Sequence, residues 1–173
     1  MNAIPDEETC IQLLIDAGCK KEVIRHCKAV RDLAIKIAEK AGANINLVKA
    51  GALLHDIGRS KTSGIKHAVE GAKIAKKLDL PQEIIFIIER HIGAGLSKEV
   101  ASSLGLPNKD YVPISLEEKI VCHADNLIDN WSRKPIEYEV ERALSDGNKQ
   151  YALKLVKLHK ELSDLCGIDL NRI

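Results

Sequence analysis

His55-Asp56-Ile57-Gly58-Arg59 ends an apolar helical run with two adjacent side chains able to bind a metal. Single histidines or acids at His26, His67, His91 and Asp125 fall on apolar faces of other segments with helical periodicity. An unpaired polar group is costly on such a face. A shared ion would make these placements affordable together. Histidine nitrogens with carboxylate oxygens suit Fe, Mn, Co, Ni or Zn better than Mg or Ca, which prefer all-oxygen shells.

Residues three or four apart share a helix face, so each candidate has identifiable neighbours. His26 lies in line with Val30, Leu33 and Ile37, and His91 closes a stripe of Ile84, Ile87 and Ile88. His55 follows Val48, Gly51 and Ala52, with Asp56 about 100° further round the frayed helix end, so both can reach one point beyond it. His67 heads a stripe of Gly71, Ile74 and Leu78, and the small Gly71 admits a neighbouring helix or a ligand. Asp125 shares its face with Val121, Cys122 and Ile128, where burial without a partner would raise its pKa or destabilise the fold.

Taken singly, roughly three in four such histidines would be core or rim residues bonded to backbone. The set of six changes that balance. His123 also lies on an apolar stripe, with Leu116, Ile120 and Leu127, but it is two residues from Asp125 and points elsewhere. One of the two faces the site, and periodicity does not choose between them. His159, within the charged stretch Lys154 to Lys160, reads as an exposed surface residue.

The elements that must position these groups read as all-α. Asp6-Glu7-Glu8 caps a short helix ending near Gly18, and a longer one runs from about Lys21 to Ala41 with Gly42 as its stop. Asn44 or Asn46 caps the next, about Leu47 to Asp56, followed by a polar loop from Arg59 to Gly64. Helices then span about Lys66 to Leu78, Gln82 to Arg90 after Pro81, and Lys98 to Leu104. Ser115-Leu116-Glu117-Glu118 reads as a capping box opening a helix to about Trp131. Beyond Pro135, one or two carboxy-terminal helices run through Leu144 and from Lys149 to Leu165.

The 173 residues, 45% hydrophobic and 29% charged, fit one compact domain. A net charge of +1 gives no global field for a nucleic-acid backbone or an anionic membrane, and 3% aromatics supply few stacking platforms. Extended nucleic acid is therefore disfavoured. Five cysteines without a Cys-x-x-Cys pair suggest neither a disulfide framework nor a thiolate zinc site, and a reducing cytoplasm fits best. The segment Met1 to Glu8 lacks the basic start and apolar core of a signal peptide, and no window approaches ~18 consecutive apolar residues, so a soluble protein is expected.

His26, then His55-Asp56, then Asp125, spread over separate helices, resembles the HD-domain superfamily of metal-dependent phosphohydrolases, in its HDIG variant. The resemblance covers about Val23 to Trp131 and implies one HD domain over residues 1–173, with a motif-bearing core of about 20–132 and a helical extension of about 135–173. It implies a bundle of about seven to nine helices with the metal site in its core. His67 and His91 stand where two-metal members carry two further histidines, and the run Leu116 to Asp125 is similar to that of the HD-type symmetrical diadenosine tetraphosphate hydrolases. This likeness favours Asp125 over His123. Eleven positions separate Asp56 from His67, fewer than in those hydrolases, and Arg59 stands where many relatives have Lys.

The resemblance implies one ion on His26, His55, Asp56 and Asp125, a second on His67 and His91, and Asp56 as the bridge. It implies hydrolysis of a small nucleotide, or a related phosphate ester or anhydride, by a metal-bridging hydroxide. Asp56 and Arg59 are the catalytic candidates, Arg59 and Lys61 the phosphate contacts, and Arg90 and Arg133 weaker ones. Two rival readings stand beside it. One is a mononuclear nucleotidase or cyclic-nucleotide phosphodiesterase, with His67 and His91 on the substrate. The other is a non-catalytic helical module that binds a nucleotide or protein. The carboxy-terminal helices either cover the pocket or form a homodimer face.

Overall fold

A computed structural model describes residues 3–173; Met1 and Asn2, where the segment read as lacking a signal peptide begins, lie outside them. Nine α-helices are found among the described residues: α1 Glu7–Asp16, α2 Lys21–Ala41, α3 Ile45–Leu54, α4 His67–Lys77, α5 Gln82–Arg90, α6 Lys98–Ser103, α7 Leu116–Asn126, α8 Ile136–Ser145 and α9 Lys149–Cys166. Short 3-10 segments occupy Ile57–Ser60 and Leu170–Arg172. No described helix is long and apolar enough to cross a membrane. The five cysteines are free.

The long helix α2 is the axis of the bundle, packing against α3, α7 and α9. It buries Cys27, Val30, Leu33, Ala34, Ile37 and Ala38 on one stripe and ends at Gly42, whose φ of 71° is the left-handed conformation that glycine adopts without strain. Asn44 caps α3 by accepting from the Leu47 amide, so the helix begins two residues before the expected start. The Asn44 amide in turn donates to Glu117 Oε1 at 3.0 Å, fixing the start of α3 against the start of α7.

Helix α7 opens with the expected capping box between Ser115 and Glu118. Glu118 is buried and also accepts from the Ile114 amide and from Arg90 Nη1, at 3.0 and 3.1 Å. Ser115→Ala removes the hydroxyl that receives the Glu118 amide, and a loss of about 1 kcal/mol is expected in denaturant unfolding.

The structure corrects the reading of one continuous helix to Trp131. Helix α7 stops at Asn126, and an antiparallel hairpin follows, β1 Ile128–Asp129 paired with β2 Ser132–Arg133 around an Asn130-Trp131 turn. Asn130 has a φ of 57°, a conformation that Asn tolerates better than most residues and that suits a two-residue hairpin turn. Similarly, Arg59 and Ser60, the first residues of the expected loop to Gly64, belong to the 3-10 segment Ile57–Ser60.

Candidate metal centre

All six candidate ligands converge. Three helices and two helix ends supply them: His26 from α2, His55 and Asp56 just past α3, His67 at the start of α4, His91 just past α5 and Asp125 from α7. His55, Asp56, His67 and His91 are buried, while the side chains of His26 and Asp125 are partly exposed.

Each histidine has one nitrogen on a main-chain carbonyl. His55 Nδ1 meets Ala52 O at 2.7 Å, His67 Nδ1 meets Gly64 O at 2.8 Å, and His91 Nδ1 meets Ile88 O at 2.7 Å. His26 Nδ1 meets Asn130 O at 2.5 Å. A carbonyl only accepts, so Nδ1 carries a proton in all four and Nε2 faces inward, with a lone pair there whenever the ring is neutral. His55 and His91 use carbonyls freed at the ends of their helices, one turn back.

The four Nε2 atoms face two carboxylates. Asp56 Oδ1 lies 3.1 Å from His67 Nε2 and 3.6 Å from His91 Nε2, whereas Asp56 Oδ2 lies 3.7 Å from His55 Nε2 and 3.9 Å from His26 Nε2. The two oxygens of one acid thus address two different histidine pairs. Asp125 Oδ1 is 2.9 Å from His26 Nε2 and 3.5 Å from His55 Nε2. His67 Nε2 and His91 Nε2 approach to 2.9 Å, two lone pairs aimed at each other unless a cation or proton lies between them.

The electrostatics call for positive charge. Burial opposes a charge on His55, yet Asp56 and its neighbours outweigh it and hold the imidazole pKa well above its ordinary value. Burial would likewise raise Asp56, but His55, His67 and His91 hold it well below the carboxylate range. Asp125 is lowered against burial by His55 and His26. Burial dominates at His91 and pulls its pKa down, favouring the neutral ring that a metal ligand requires. His55 Nε2 and Asp56 Oδ1 are buried without a hydrogen-bond partner among the described residues. Nitrogen and carboxylate donors of this kind fit a divalent transition ion. Two groups, His26-His55-Asp125 and His55-Asp56-His91, are each tight enough to hold one.

Glycines bring the ligands together. A Cβ on Gly58 would lie 1.8 Å from the His67 carbonyl oxygen and one on Gly71 2.7 Å from Ile88 Cγ2, so the 3-10 segment, α4 and α5 approach at close range. The close approach expected at Gly71 is thus realised against a neighbouring element. Gly58→Ala must push the His67 backbone away. We expect a loss of about 3 kcal/mol or more in denaturant unfolding, together with reduced metal uptake.

Arg59 donates from Nε to Asp56 Oδ2 at 2.6 Å and from Nη1 to Ser63 O at 3.2 Å, with its side chain about one-third exposed. It lines a cleft of about 330 Å³ with Glu22, Val23, His26, Asp56, Asn130 and Trp131. Lys61 is exposed at the end of the same 3-10 segment. Arg90 stacks over Phe86 and bonds Glu118, and Arg133 ties β2 to the carbonyls of Leu127, Lys134 and Leu170. Neither of those two arginines lines the cleft that Arg59 lines.

His123 turns away from the cluster and is fully buried against α9, its Nε2 2.9 Å from His159 Nδ1. His159 is buried rather than exposed as its lysine-rich helix suggested, and its Nε2 donates to Asp169 Oδ1 at 3.0 Å. With His159 Nδ1 therefore an acceptor, His123 Nε2 donates. Burial and the neighbouring His159 and Arg133 push the His123 pKa down to about 3, so it stays neutral.

A helical bundle that gathers four inward-facing imidazoles and two carboxylates from separate helices defines a metal-binding class. The chain belongs to the HD-domain family, which matches residues 23–129. It is 46% identical over 170 residues to a tRNA (cytidine(56)-2'-O)-methyltransferase of Thermoplasma volcanium, covering 98% of this chain and 50% of that protein. This chain thus spans about half the length of that relative. It is 35% identical over 74 residues to ribonuclease Y of Cutibacterium acnes, covering 41% of this chain and 14% of the relative. The HD domain of the L. monocytogenes phosphodiesterase PgpH, solved with cyclic-di-AMP, shares the fold with a TM-score of 0.56 at 19% identity, over 92% of this chain and 96% of that one.

Proposed function

We propose that this chain is a metal-dependent phosphohydrolase acting on a small nucleotide, or a related phosphate ester or anhydride, at a dinuclear centre. The observation that carries this reading is that all four Nδ1 atoms are committed to main-chain carbonyls, leaving four Nε2 atoms around the split carboxylate of Asp56. His26, His55, Asp56 and Asp125 would hold one ion and His67, His91 and Asp56 the other. When bound, such ions supply Lewis acidity at phosphorus and lower the pKa of a water molecule.

The chain's own side chains do the rest. The carbonyl bonds lock each ring in orientation, and the buried site excludes bulk water from all but the cleft side. Asp56 balances cationic charge on both sides of itself. Arg59 is fixed by that same carboxylate, and its guanidinium has further N–H donors to grip a phosphate in the cleft. Lys61, exposed at the end of the 3-10 segment that carries Arg59, is the second phosphate contact of this reading. The ligand set is similar to that of the symmetrical diadenosine tetraphosphate hydrolases, which supports two ions more than it supports that substrate.

The test combines metal analysis with a hydrolysis panel in Fe, Mn, Co and Ni. The panel should hold nucleotide mono- and polyphosphates, dinucleotides and cyclic dinucleotides. Two relatives are named for action on RNA, so a short oligoribonucleotide and a tRNA belong in it. We expect turnover that a chelator abolishes. Metal-replete protein inert on every substrate would overturn the reading in favour of a binding module.

A further inference from the structure

Trp131 is the single tryptophan of the chain, and it stands in the tight turn between β1 and β2 instead of in the core. It is 41% exposed, although a large aromatic ring gains most from burial. The cleft that holds His26, Asp56 and Arg59 is the place it lines. The Arg25 guanidinium covers its ring at 4.0 Å from the centroid.

The turn that carries the ring is also held in place. The Asn130 carbonyl, one residue before it, accepts from His26 Nδ1, so the turn is tied to a candidate metal ligand. The pairing of Ile128 with Arg133 and of Asp129 with Ser132 fixes the turn from below, and Tyr138 Oη donates to Asp129 Oδ2 at 3.3 Å. An aromatic side chain on a fixed turn, lining the same cleft as the candidate phosphate contact Arg59, is what a ligand with one phosphate and one flat ring would require.

We propose that Trp131, backed by Arg25, is a stacking platform for the nucleobase of the substrate. The proposal rests on the phosphohydrolase reading of the cleft and narrows its preferred substrate to a nucleotide over base-free sugar phosphates and inorganic phosphate chains. Stacking needs only a π face, and a cation on the ring strengthens the sandwich. One platform in a cleft of about 330 Å³ takes one base rather than a strand.

Because Trp131 is the only tryptophan, its emission reports on this position alone. Titration of the purified protein with AMP, GMP, CMP or UMP is expected to change its fluorescence saturably, while ribose 5-phosphate and inorganic phosphate do not. In Trp131→Ala, the ratio of kcat/KM for the best nucleotide to that for a base-free phosphate ester is expected to fall about 5- to 150-fold, with Trp131→Phe keeping most of it. Nucleotide turnover with no emission change and an unchanged ratio overturns the platform and leaves the hydrolase reading standing. Emission change without turnover of any phosphate keeps the platform and overturns the hydrolase reading. Neither signal overturns both.

Discussion

Asp56→Asn is expected to lower kcat/KM by about 10³-fold or more and to deplete the protein of metal. The substitution keeps the volume of the side chain, so the fold survives, but it removes the charge at the centre of the cluster. In the native chain Oδ1 serves the His67 and His91 side, while Oδ2 serves His26, His55 and Arg59. An amide has one oxygen, and its NH2 would face either Arg59, another donor, or the Nε2 lone pairs that a metal needs. Both outcomes cost ligand geometry. Native protein at a metal concentration of 1,000 Kd should gain about 4 kcal/mol of stability, and the variant only a small part of it. Metal analysis, kinetics and thermal unfolding with and without added metal check this. Native metal content and turnover in the variant would remove Asp56 from the centre of the mechanism.

The convergence of the six candidates was legible because five of them fall on apolar stripes and the sixth, Asp56, adjoins His55, so that together they outweigh the ordinary reading of any one. Helix limits followed from chemistry with local causes, such as the Asn44 cap, the Ser115 to Glu118 box and the left-handed Gly42. The hairpin was not legible. Leu127, Ile128 and Trp131 continue the apolar period of α7, and only the left-handed Asn130 breaks it, a signal that a lone Asn carries weakly.

His123 and His159 were beyond reach for a different reason. Their partners lie 36 and 10 residues away in sequence, and periodicity gives an angle on a helix without naming the helix opposite. The lysines around His159 mark one face of α9 as wet, while His159 itself falls on the face that buries Leu155, Leu158 and Leu162. The second carboxylate set by Asp125 was separable from His123 only through resemblance. The Nδ1 to carbonyl bonds had a local precursor, since His55 and His91 each follow the last residue of a helix, where free carbonyls one turn back await a donor.

His91→Ala separates two metals from one. His67 Nε2, His91 Nε2 and Asp56 Oδ1 form one side of the cluster, with the two nitrogens 2.9 Å apart. Without His91 that side keeps one nitrogen and one shared oxygen, too few chain donors to retain an ion against chelation. The other side keeps His26, His55, Asp56 and Asp125 intact. Metal content is therefore expected to fall from about two ions per chain to about one, with kcat reduced on the order of 10²-fold because one of two charge-stabilising centres is gone. His91 is buried, so alanine also leaves a cavity, and His91→Gln, which fills it, controls for instability. Two ions retained in both variants would take His91 out of the ligand set. A single ion in native protein, kept by both variants while KM rises, would instead make His67 and His91 substrate contacts at a mononuclear site.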